Sequence, residues 1–131
     1  KFEKGMPNAL VEVDGEIEQD PIIDDQAIVI NLTGKGLVII SGCAHAGIVN
    51  TAMFAQKITG EENIYAVIGG FHLSGPFFEK IHDETIQELK KMNPEVIMPL
   101  HCTGRKAIQR FEQEFSSGFV LNSVGSTMML S

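Results

Sequence analysis

Cysteine, tryptophan and basic residues are scarce in this chain, and each scarcity excludes a class of protein. The 131 residues include two cysteines, no tryptophan and 10 Lys and Arg against 17 Asp and Glu. Two cysteines are too few for the disulfide framework of a small secreted domain, so we expect reduced thiols and a cytoplasmic location. A formal net charge of −7 leaves no basic stripe for nucleic acid. No apolar run approaches the roughly 20 residues that span a bilayer, so no membrane partner is expected.

Hydrophobic periodicity predicts a chain that begins with hairpins and then alternates between strands and helices. Asp14-Gly15 between two short alternating segments is a strong signal for a two-residue hairpin turn. A second hairpin is predicted around the turn at 33–36. The predicted strands are 10–13, 16–18, 26–32, 37–41, 64–68, 96–100, 119–122 and 127–130, and the predicted helices are 47–58, 77–92 and 104–115.

This order of elements predicts an α/β (α+β) fold with a mixed sheet and helices on one face. The segment Ala27-Ile28-Val29-Ile30 is apolar at consecutive positions, which is typical of a strand buried on both faces. The predicted helices suffice for only one face of the sheet. We therefore expect the other face to be apolar and to need a partner sheet, from missing sequence or from another subunit.

Three of the four histidines follow apolar runs at equivalent strand ends. His45 lies in Gly42-Cys43-Ala44-His45-Ala46-Gly47, His72 in Gly69-Gly70-Phe71-His72-Leu73, and His101 in Pro99-Leu100-His101-Cys102-Thr103-Gly104. Ligands of open α/β sheets bind beyond the carboxyl ends of the strands, so this pattern predicts a metal site. His82 lies within a helical pattern beside Asp83 and Glu84, and we expect it to be a solvated surface residue.

Both cysteines lie within two residues of a strand-end histidine. Cys43 precedes His45 by two positions and Cys102 directly follows His101. Because strand-end loops converge at one edge of a sheet, we expect both thiols to be reduced, close to the metal pocket and not bridged to one another.

Several of these motifs together resemble a known family. The segments 24–30 and 35–50, with Ile68-Gly69-Gly70-Phe71-His72-Leu73 and His101-Cys102-Thr103-Gly104, are similar to the second half of a metallo-β-lactamase-fold hydrolase. The resemblance is to the subgroup of dihydropterin ribofuranosylaminobenzene phosphate synthase-like metal-dependent hydrolases. It implies that residues 1–131 are the C-terminal portion of one domain, the second ββα half of an αββα sandwich. The family motif HxHxDH belongs to the first half and is absent from this sequence.

The resemblance also implies a metal-dependent hydrolase whose metal-activated water attacks a small, phosphorylated substrate. The resemblance implies that His45 and His101 are metal ligands. His72, Asp25 and Cys43 are further candidates for metal or substrate contact. Zinc is the expected metal, with manganese or iron as alternatives, in a dinuclear site of the full-length protein. Because a catalytic zinc usually has three protein ligands, two histidines predict that this chain alone is inactive.

The turn after His101 is a candidate anion site. Thr103 is a predicted N-cap, followed by Gly104 and Arg105 at the start of a helix, where free N–H groups favour an anion. The alternative is that the basic residues of this helix are solvated surface charges.

Two other classes of function remain open from the sequence. One is a non-catalytic metal-binding or structural domain with a degenerate site. The other is a redox or structural zinc module that uses Cys43, His45, His101 and Cys102. The paired CxxC spacing typical of such modules is absent from the sequence.

Overall fold

A computed structural model describes residues 2–130, and most of the predicted elements are present in it. The strands are β1 (Leu10–Val13), β2 (Glu16–Gln19), β3 (Ala27–Leu32), β4 (Gly36–Ser41), β5 (Ile64–Gly70) and β6 (Val96–Leu100). The helices are α1 (Ile48–Thr59), α2 (Pro76–Glu79), α3 (His82–Met92) and α4 (Arg105–Glu114), and a 3-10 turn covers His101–Thr103.

The main sheet has four strands in the order β3-β4-β5-β6. β3 pairs antiparallel with β4, whereas β4, β5 and β6 are parallel, so the sheet is mixed as predicted. The parallel strands are joined by α1 and by the pair α2 and α3, which places the carboxyl ends of all three strands at one edge. That edge carries the strand-end histidines.

Helices cover one face of this sheet, as the sequence predicts. Residues of β4, β5 and β6 form a single buried cluster with side chains from α1, α3 and α4. The sheet residues of this cluster include Leu37, Ile39, Val67 and Ile97. Because β4 and β5 are buried along nearly their whole length, they provide a rigid base for the loops that follow them.

The opposite face of the sheet is apolar and partly open. Ile28 pairs with Ile40, and Ile30 pairs with Val38, so these side chains share the face away from the helices. Ile28 is 62% exposed and Ile30 is 47% exposed. The interior of the same face is covered, because Leu130 packs against the cluster that contains Val38.

β1 and β2 form a separate hairpin with the predicted turn. Asp14 (φ 53°) and Gly15 (φ 86°) are both in the left-handed region, which a type I′ turn requires. Most residues of the two strands are exposed.

The predicted helix 77–92 is wrong as a single element, because the chain turns at Lys80 and Ile81 between α2 and α3. The two parts have different packing partners. Phe78 of α2 contacts the ring of His72 at a centroid distance of 5.0 Å, whereas Ile86 and Leu89 of α3 pack in the main core. A straight helix would not present both sets of side chains to these surfaces.

The two strands predicted at the end of the chain are also wrong. Phe119 forms only an isolated parallel bridge with Ile97 of β6, and 127–130 contains no strand. Asn122 and Ser123 explain the early end of pairing, because the Ser123 N–H donates to Asn122 Oδ1 at 2.7 Å. Such local side-chain bonds compete with a sheet ladder.

Among the helices of residues 2–130, none has the length and apolar character needed to cross a membrane.

Candidate metal centre

Three side chains at the ends of β4 and β6 converge on one point. The ligand atoms of Cys43, His101 and Cys102 all lie within 4.8 Å of one another. Cys43 Sγ is 3.3 Å from His101 Nε2, and the Cys102 thiol donates to the Cys43 carbonyl with an Sγ–O distance of 3.5 Å. Thiolate sulfur and imidazole nitrogen are the donors that zinc prefers, so this group has the composition of a metal centre.

Gly70 makes this convergence possible, because β5 lies between β4 and β6. A Cβ atom at position 70 would lie 2.6 Å from Cys102 Sγ and 2.7 Å from His101 Cε1. The neighbouring Gly69 (φ 124°) is in a conformation that favours glycine, and a Cβ there would lie 2.1 Å from Ser41 O. The Gly69-Gly70 pair is therefore required for close approach of the strand ends. This role of the glycine pair was not predicted from the sequence.

Further hydrogen bonds hold the strand ends in register. Ser41 Oγ donates to Gly70 O at 2.8 Å, and the Gly70 N–H donates to Gly42 O at 3.0 Å. The Phe71 N–H donates to Thr103 Oγ1 at 3.1 Å. The loops that carry Cys43, His72 and His101 are thus joined to one another through backbone groups and the hydroxyls of Ser41 and Thr103.

His45 and His72 form a second part of the same region. Their rings meet edge to face at a centroid distance of 4.7 Å. The Nδ1 atoms of both rings are buried and have no hydrogen-bond partner within the described part of the chain. Burial lowers the pKa of His72, and the nearby His45 and His101 lower it further, against a smaller opposing effect of Asp25. A neutral imidazole presents a lone pair for coordination.

The backbone of both loops is unusual at this site. Ala44 (φ 56°) and His72 (φ 44°) are non-glycine residues in the left-handed region. Such conformations cost on the order of 1 kcal/mol each and cluster at functional sites. Ala44 lies beside Cys43, and His72 belongs to the histidine pair, so both strained residues lie at the candidate site.

Asp25 contacts the His45 loop through the backbone. Its Oδ2 accepts a hydrogen bond from the Ala46 N–H at 3.1 Å. The expected role of Asp25 as a direct metal or substrate contact stays a prediction, and the observed contact is one that positions the loop.

Glu3 caps α1 from the beginning of the chain. Its carboxylate accepts hydrogen bonds from the Val49 N–H at 3.1 Å and the Asn50 N–H at 2.7 Å. Gly47 makes room for it, because a Cβ there would lie 2.2 Å from Glu3 Oε2. Burial raises the pKa of Glu3, although the backbone donors of Asn50 and Val49 act in the opposite direction. Glu3 was not predicted, since no local motif links it to a helix that begins 45 residues later.

His82 is a buried structural residue, and the expectation of a solvated side chain is wrong. Its exposed fraction is 5%, and its Nε2 lies 2.8 Å from Leu73 O. The break between α2 and α3 turns the first residue of α3 inward under the loop that follows His72. His82 therefore supports the site without joining it.

The candidate anion site has a different geometry from the prediction. Thr103 is buried and its hydroxyl accepts from Phe71, so Gly104 and not Thr103 is the N-cap residue of α4. Arg105 is exposed at the first position of α4. Lys106 and Arg110 form surface ion pairs with Glu79 and Asp83, in agreement with the surface-charge alternative for these two residues.

Cys43 and Cys102 are not bridged, and both belong to the group formed with His101. Their predicted closeness to a bound metal stays a prediction. Burial raises the pKa of the Cys102 thiol to about 11. The Cys43–His101–Cys102 group contains three of the four residues of the Cys/His module, without His45. The sequence signal for Cys102 is its position next to His101.

The chain is similar in sequence to two proteins of one organism. No protein-family profile matches the chain. It is 42% identical over 119 residues to 7,8-dihydropterin-6-methyl-4-(beta-D-ribofuranosyl)-aminobenzene-5'-phosphate synthase of Methanocaldococcus jannaschii, covering 90% of this chain and 40% of that protein. It is 35% identical over 112 residues to the uncharacterized protein MJ0448 of the same organism, covering 86% and 39%.

A solved structure resembles the fold over almost all of the chain. The crystal structure of Tm1679, a metal-dependent hydrolase of the beta-lactamase superfamily, superposes with a TM-score of 0.81 at 32% identity. The match covers 93% of this chain and 46% of that one. The chain thus spans less than half the length of the proteins that it resembles. It has the fold of part of a beta-lactamase-superfamily domain, and its resemblance to the dihydropterin ribofuranosylaminobenzene phosphate synthase-like subgroup is confirmed.

Proposed function

We propose that this chain supplies part of the metal shell of a metal-dependent hydrolase of the beta-lactamase superfamily. His45 and His101 are the proposed metal ligands, with Cys43 as a third donor. The observation that carries this proposal is the convergence of Cys43, His101 and Cys102 within 4.8 Å at the carboxyl ends of parallel strands. The structural neighbour is itself a metal-dependent hydrolase.

The residues present fit a divalent metal. The site offers soft sulfur and borderline nitrogen donors, which favour zinc over magnesium or calcium. The buried Nδ1 atoms of His45 and His72, unsatisfied within residues 2–130, are lone pairs or N–H groups that a bound ion or substrate would engage. A second metal would need further ligands, which the family resemblance assigns to the motif HxHxDH.

A divalent metal held at this point would polarise an ester oxygen and lower the pKa of bound water to about 7. The chain's own residues have the remaining roles. Cys43 and His101 hold the ion from two strand ends, and His72 faces the same region with a lowered pKa, which favours its neutral form as a ligand or hydrogen-bond acceptor. Asp25 fixes the His45 loop through Ala46.

A small, phosphorylated substrate is proposed from the position of Arg105. Arg105 is exposed at the start of α4, one turn beyond His101, where the helix N-terminus favours an anion. The name of the Methanocaldococcus jannaschii relative includes a 5'-phosphate, which is compatible with this assignment.

We further propose that the open sheet face is covered by the rest of the enzyme, either a preceding segment of the same protein or another subunit. Ile28 and Ile30 would pack against a partner sheet there. In this proposal the chain alone binds metal weakly and does not hydrolyse substrate.

The test uses ligand variants of the protein as its organism produces it. His45→Ala, His101→Ala and Cys43→Ser should each lower bound zinc, because alanine and serine remove a coordinating lone pair of the required kind. Bound metal is measured by elemental analysis, alongside hydrolysis of generic phosphoester and lactone substrates. Activity should fall in parallel with metal content.

Gln109→Ala provides the control, since Gln109 is exposed on α4 away from the strand ends. It should keep full metal and full activity. If His45→Ala and His101→Ala also keep both, the proposed function is wrong.

A structural metal site is the second candidate, favoured by the three close donors at Cys43, His101 and Cys102. A structural zinc contributes folding free energy directly. In that case chelation would lower the melting temperature strongly, and the metal-loaded protein would hydrolyse none of the substrates.

A further inference from the structure

We propose that Cys43 and Cys102 form a reversible disulfide that closes the metal centre. The inference concerns the regulation of the site described above, and its effect on metal binding depends on the proposed function. Disulfide formation itself depends only on the geometry of the two thiols. The site would thus hold either a bound metal or the disulfide, depending on the redox state of the surroundings.

The two thiols are near neighbours although Cys43 and Cys102 are 59 positions apart in the sequence. Their Sγ atoms lie within 4.8 Å of one another, and the Cys102 thiol already points at the backbone carbonyl of Cys43 with an Sγ–O distance of 3.5 Å. A disulfide needs a sulfur separation of about 2 Å. The remaining gap of less than about 3 Å is within the range of a χ1 rotation combined with a small loop shift.

No β5 side chain stands between the two strand-end loops at position 70. β5 lies between the strands that carry them, and a β5 residue with a Cβ would be expected to intervene at its end. Gly70 occupies that position, and a Cβ built there would lie 2.6 Å from both Cys102 Sγ and Gly42 O. The glycine therefore leaves the path between the two strand-end loops open.

The loops on either side contain small residues. Gly42 and Ala44 flank Cys43, and Gly104 follows the 3-10 turn that contains Cys102. Cys43 and Cys102 are each only partly buried, so a small oxidant reaches them. Accessible cysteines beside a second thiol can be oxidised reversibly, although the raised pKa of Cys102 slows attack by its thiolate.

The oxidant is a small-molecule disulfide, and the reaction is two successive thiol–disulfide exchanges. One protein thiolate attacks a sulfur of the small disulfide, forms a mixed disulfide and releases the first small thiolate. The second protein thiolate then attacks the protein sulfur of the mixed disulfide, forms the Cys43–Cys102 bond and releases the second small thiolate. Two electrons pass from the protein to the small disulfide, and the two protons lost from the cysteines go to the two released thiols.

The bridge would remove sulfur donors from the metal centre. A disulfide sulfur carries no thiolate charge, so Cys43 loses its capacity to bind zinc strongly. His101 remains as a nitrogen donor, but the Cys43 thiolate beside it is no longer available to the metal. Conversely, a metal bound by Cys43 protects that thiol from exchange, so metal occupancy and oxidation oppose one another.

The experiment measures the disulfide directly and metal binding separately. The protein is equilibrated in buffers of reduced and oxidised glutathione, the free thiols are alkylated, and the linked peptides are identified by mass spectrometry. Cobalt is then titrated into the oxidised and reduced forms, with the d–d absorbance of bound cobalt as the measure of affinity and the thiolate charge-transfer absorbance as the sign of Cys43 ligation. We expect an intramolecular Cys43–Cys102 link, cobalt affinity lowered by about tenfold or more on oxidation, and recovery on reduction.

Cys102→Ser is the matched control, since it keeps Cys43 and His101 but cannot form the bridge. Its cobalt affinity should be unchanged by oxidised glutathione once mixed disulfides are reversed by brief exposure to a monothiol. Retention of two free thiols across the whole range of glutathione buffers, in protein that has been freed of metal, would overturn the inference. If the bridge forms but the reduced protein binds no cobalt, the metal proposal is wrong and the disulfide stands.

Discussion

The four histidines differ in what their ring nitrogens contact. His101 Nε2 lies 3.3 Å from Cys43 Sγ, and His45 and His72 keep buried Nδ1 atoms without a partner among residues 2–130. His82 instead bonds the Leu73 carbonyl at 2.8 Å, in a buried position. A satisfied ring stabilises the fold, whereas an unsatisfied ring in a pocket is available to a ligand.

His82→Ala should lower the free energy of unfolding by about 1–3 kcal/mol, because it leaves the buried Leu73 carbonyl without its donor and removes a packed ring. Urea denaturation monitored by circular dichroism measures the change. Gln109→Ala, on the exposed side of α4, should change the midpoint very little. A His82→Ala midpoint equal to that of the wild type would mean that the hydrogen bond contributes nothing.

The roles of single residues were only partly predictable from the sequence. The strand-end positions of His45, His72 and His101 follow from apolar runs and are reproduced in the structure. The burial of His82 does not follow, because helical periodicity gives the face of a residue relative to its helix and not the loop that covers it. Glu3 acquires its contacts from a segment far away in the sequence.

At the scale of elements, the end of β5 decides whether the strand-end loops can meet. Gly69 and Gly70 let the backbone of β5 approach Ser41 on one side and the His101 turn on the other. The Ser41–Gly70 and Phe71–Thr103 hydrogen bonds then hold β4, β5 and the turn after β6 together. The local geometry of the centre is thus a property of β5 as much as of the loops that carry its ligands.

Gly70→Ala should displace the turn at His101–Thr103, since the new Cβ would overlap Cys102 Sγ and His101 Cε1. We expect a clear loss of zinc content with secondary structure retained, measured by elemental analysis and far-ultraviolet circular dichroism. Gly60→Ala is a useful comparison: position 60 is left-handed (φ 71°), unlike position 70, and has nothing within 4 Å of a built Cβ. It should lower stability without affecting metal. Equal zinc in the Gly70→Ala and wild-type proteins would contradict this role.

Element boundaries followed from the sequence where local chemistry determines them. The Asp14-Gly15 hairpin, the Gly60 end of α1 and the Asn93 end of α3 all coincide with their turn residues. The break at Lys80 and Ile81 does not coincide with a turn residue. It follows from tertiary packing, because Phe78 contacts His72. The prediction of two short strands near the end of the chain was wrong for a similar reason, since pairing there depends on one contact with β6.

At the scale of the whole molecule, only one face of the sheet is fully covered. Helices cover the face that contains Leu37, Ile39, Val67 and Ile97. On the other face Ile28 and Ile30 are exposed in the edge strand β3. An uncharged, exposed edge strand with apolar side chains is prone to association, since natural edges usually carry charges or bulges.

Changing Ile28 and Ile30 to Lys together should reduce self-association and the fluorescence of a hydrophobic dye, because both side chains project from the open face. Analytical ultracentrifugation and dye titration of the isolated chain measure these effects. Ile17→Lys is a matched control, since Ile17 is 65% exposed but lies in the separate β1–β2 hairpin. An isolated wild-type chain that is monomeric at all concentrations and binds no dye would exclude a need for a partner sheet.

The mixed sheet, its single helical face and its apolar open face were all predictable. Residues 27–30 are apolar at consecutive positions and so on both faces of the strand, whereas the predicted helices suffice to cover one face. The coverage of the open face by Leu130 was not predictable. It depends on the path of the last residues, which carry no regular hydrophobic period.

The carboxyl of Glu3 links the protonation of the chain to its fold. Because burial raises its pKa above that of the unfolded chain, the folded state binds this proton more tightly. Its contribution to stability is therefore fully present below the usual range of a glutamate and is lost as the pH rises through the raised value. Most carboxylates in ion pairs act in the opposite sense. Mild acid thus favours the attachment of the first residues to α1, and with it the support of the loop that holds His45.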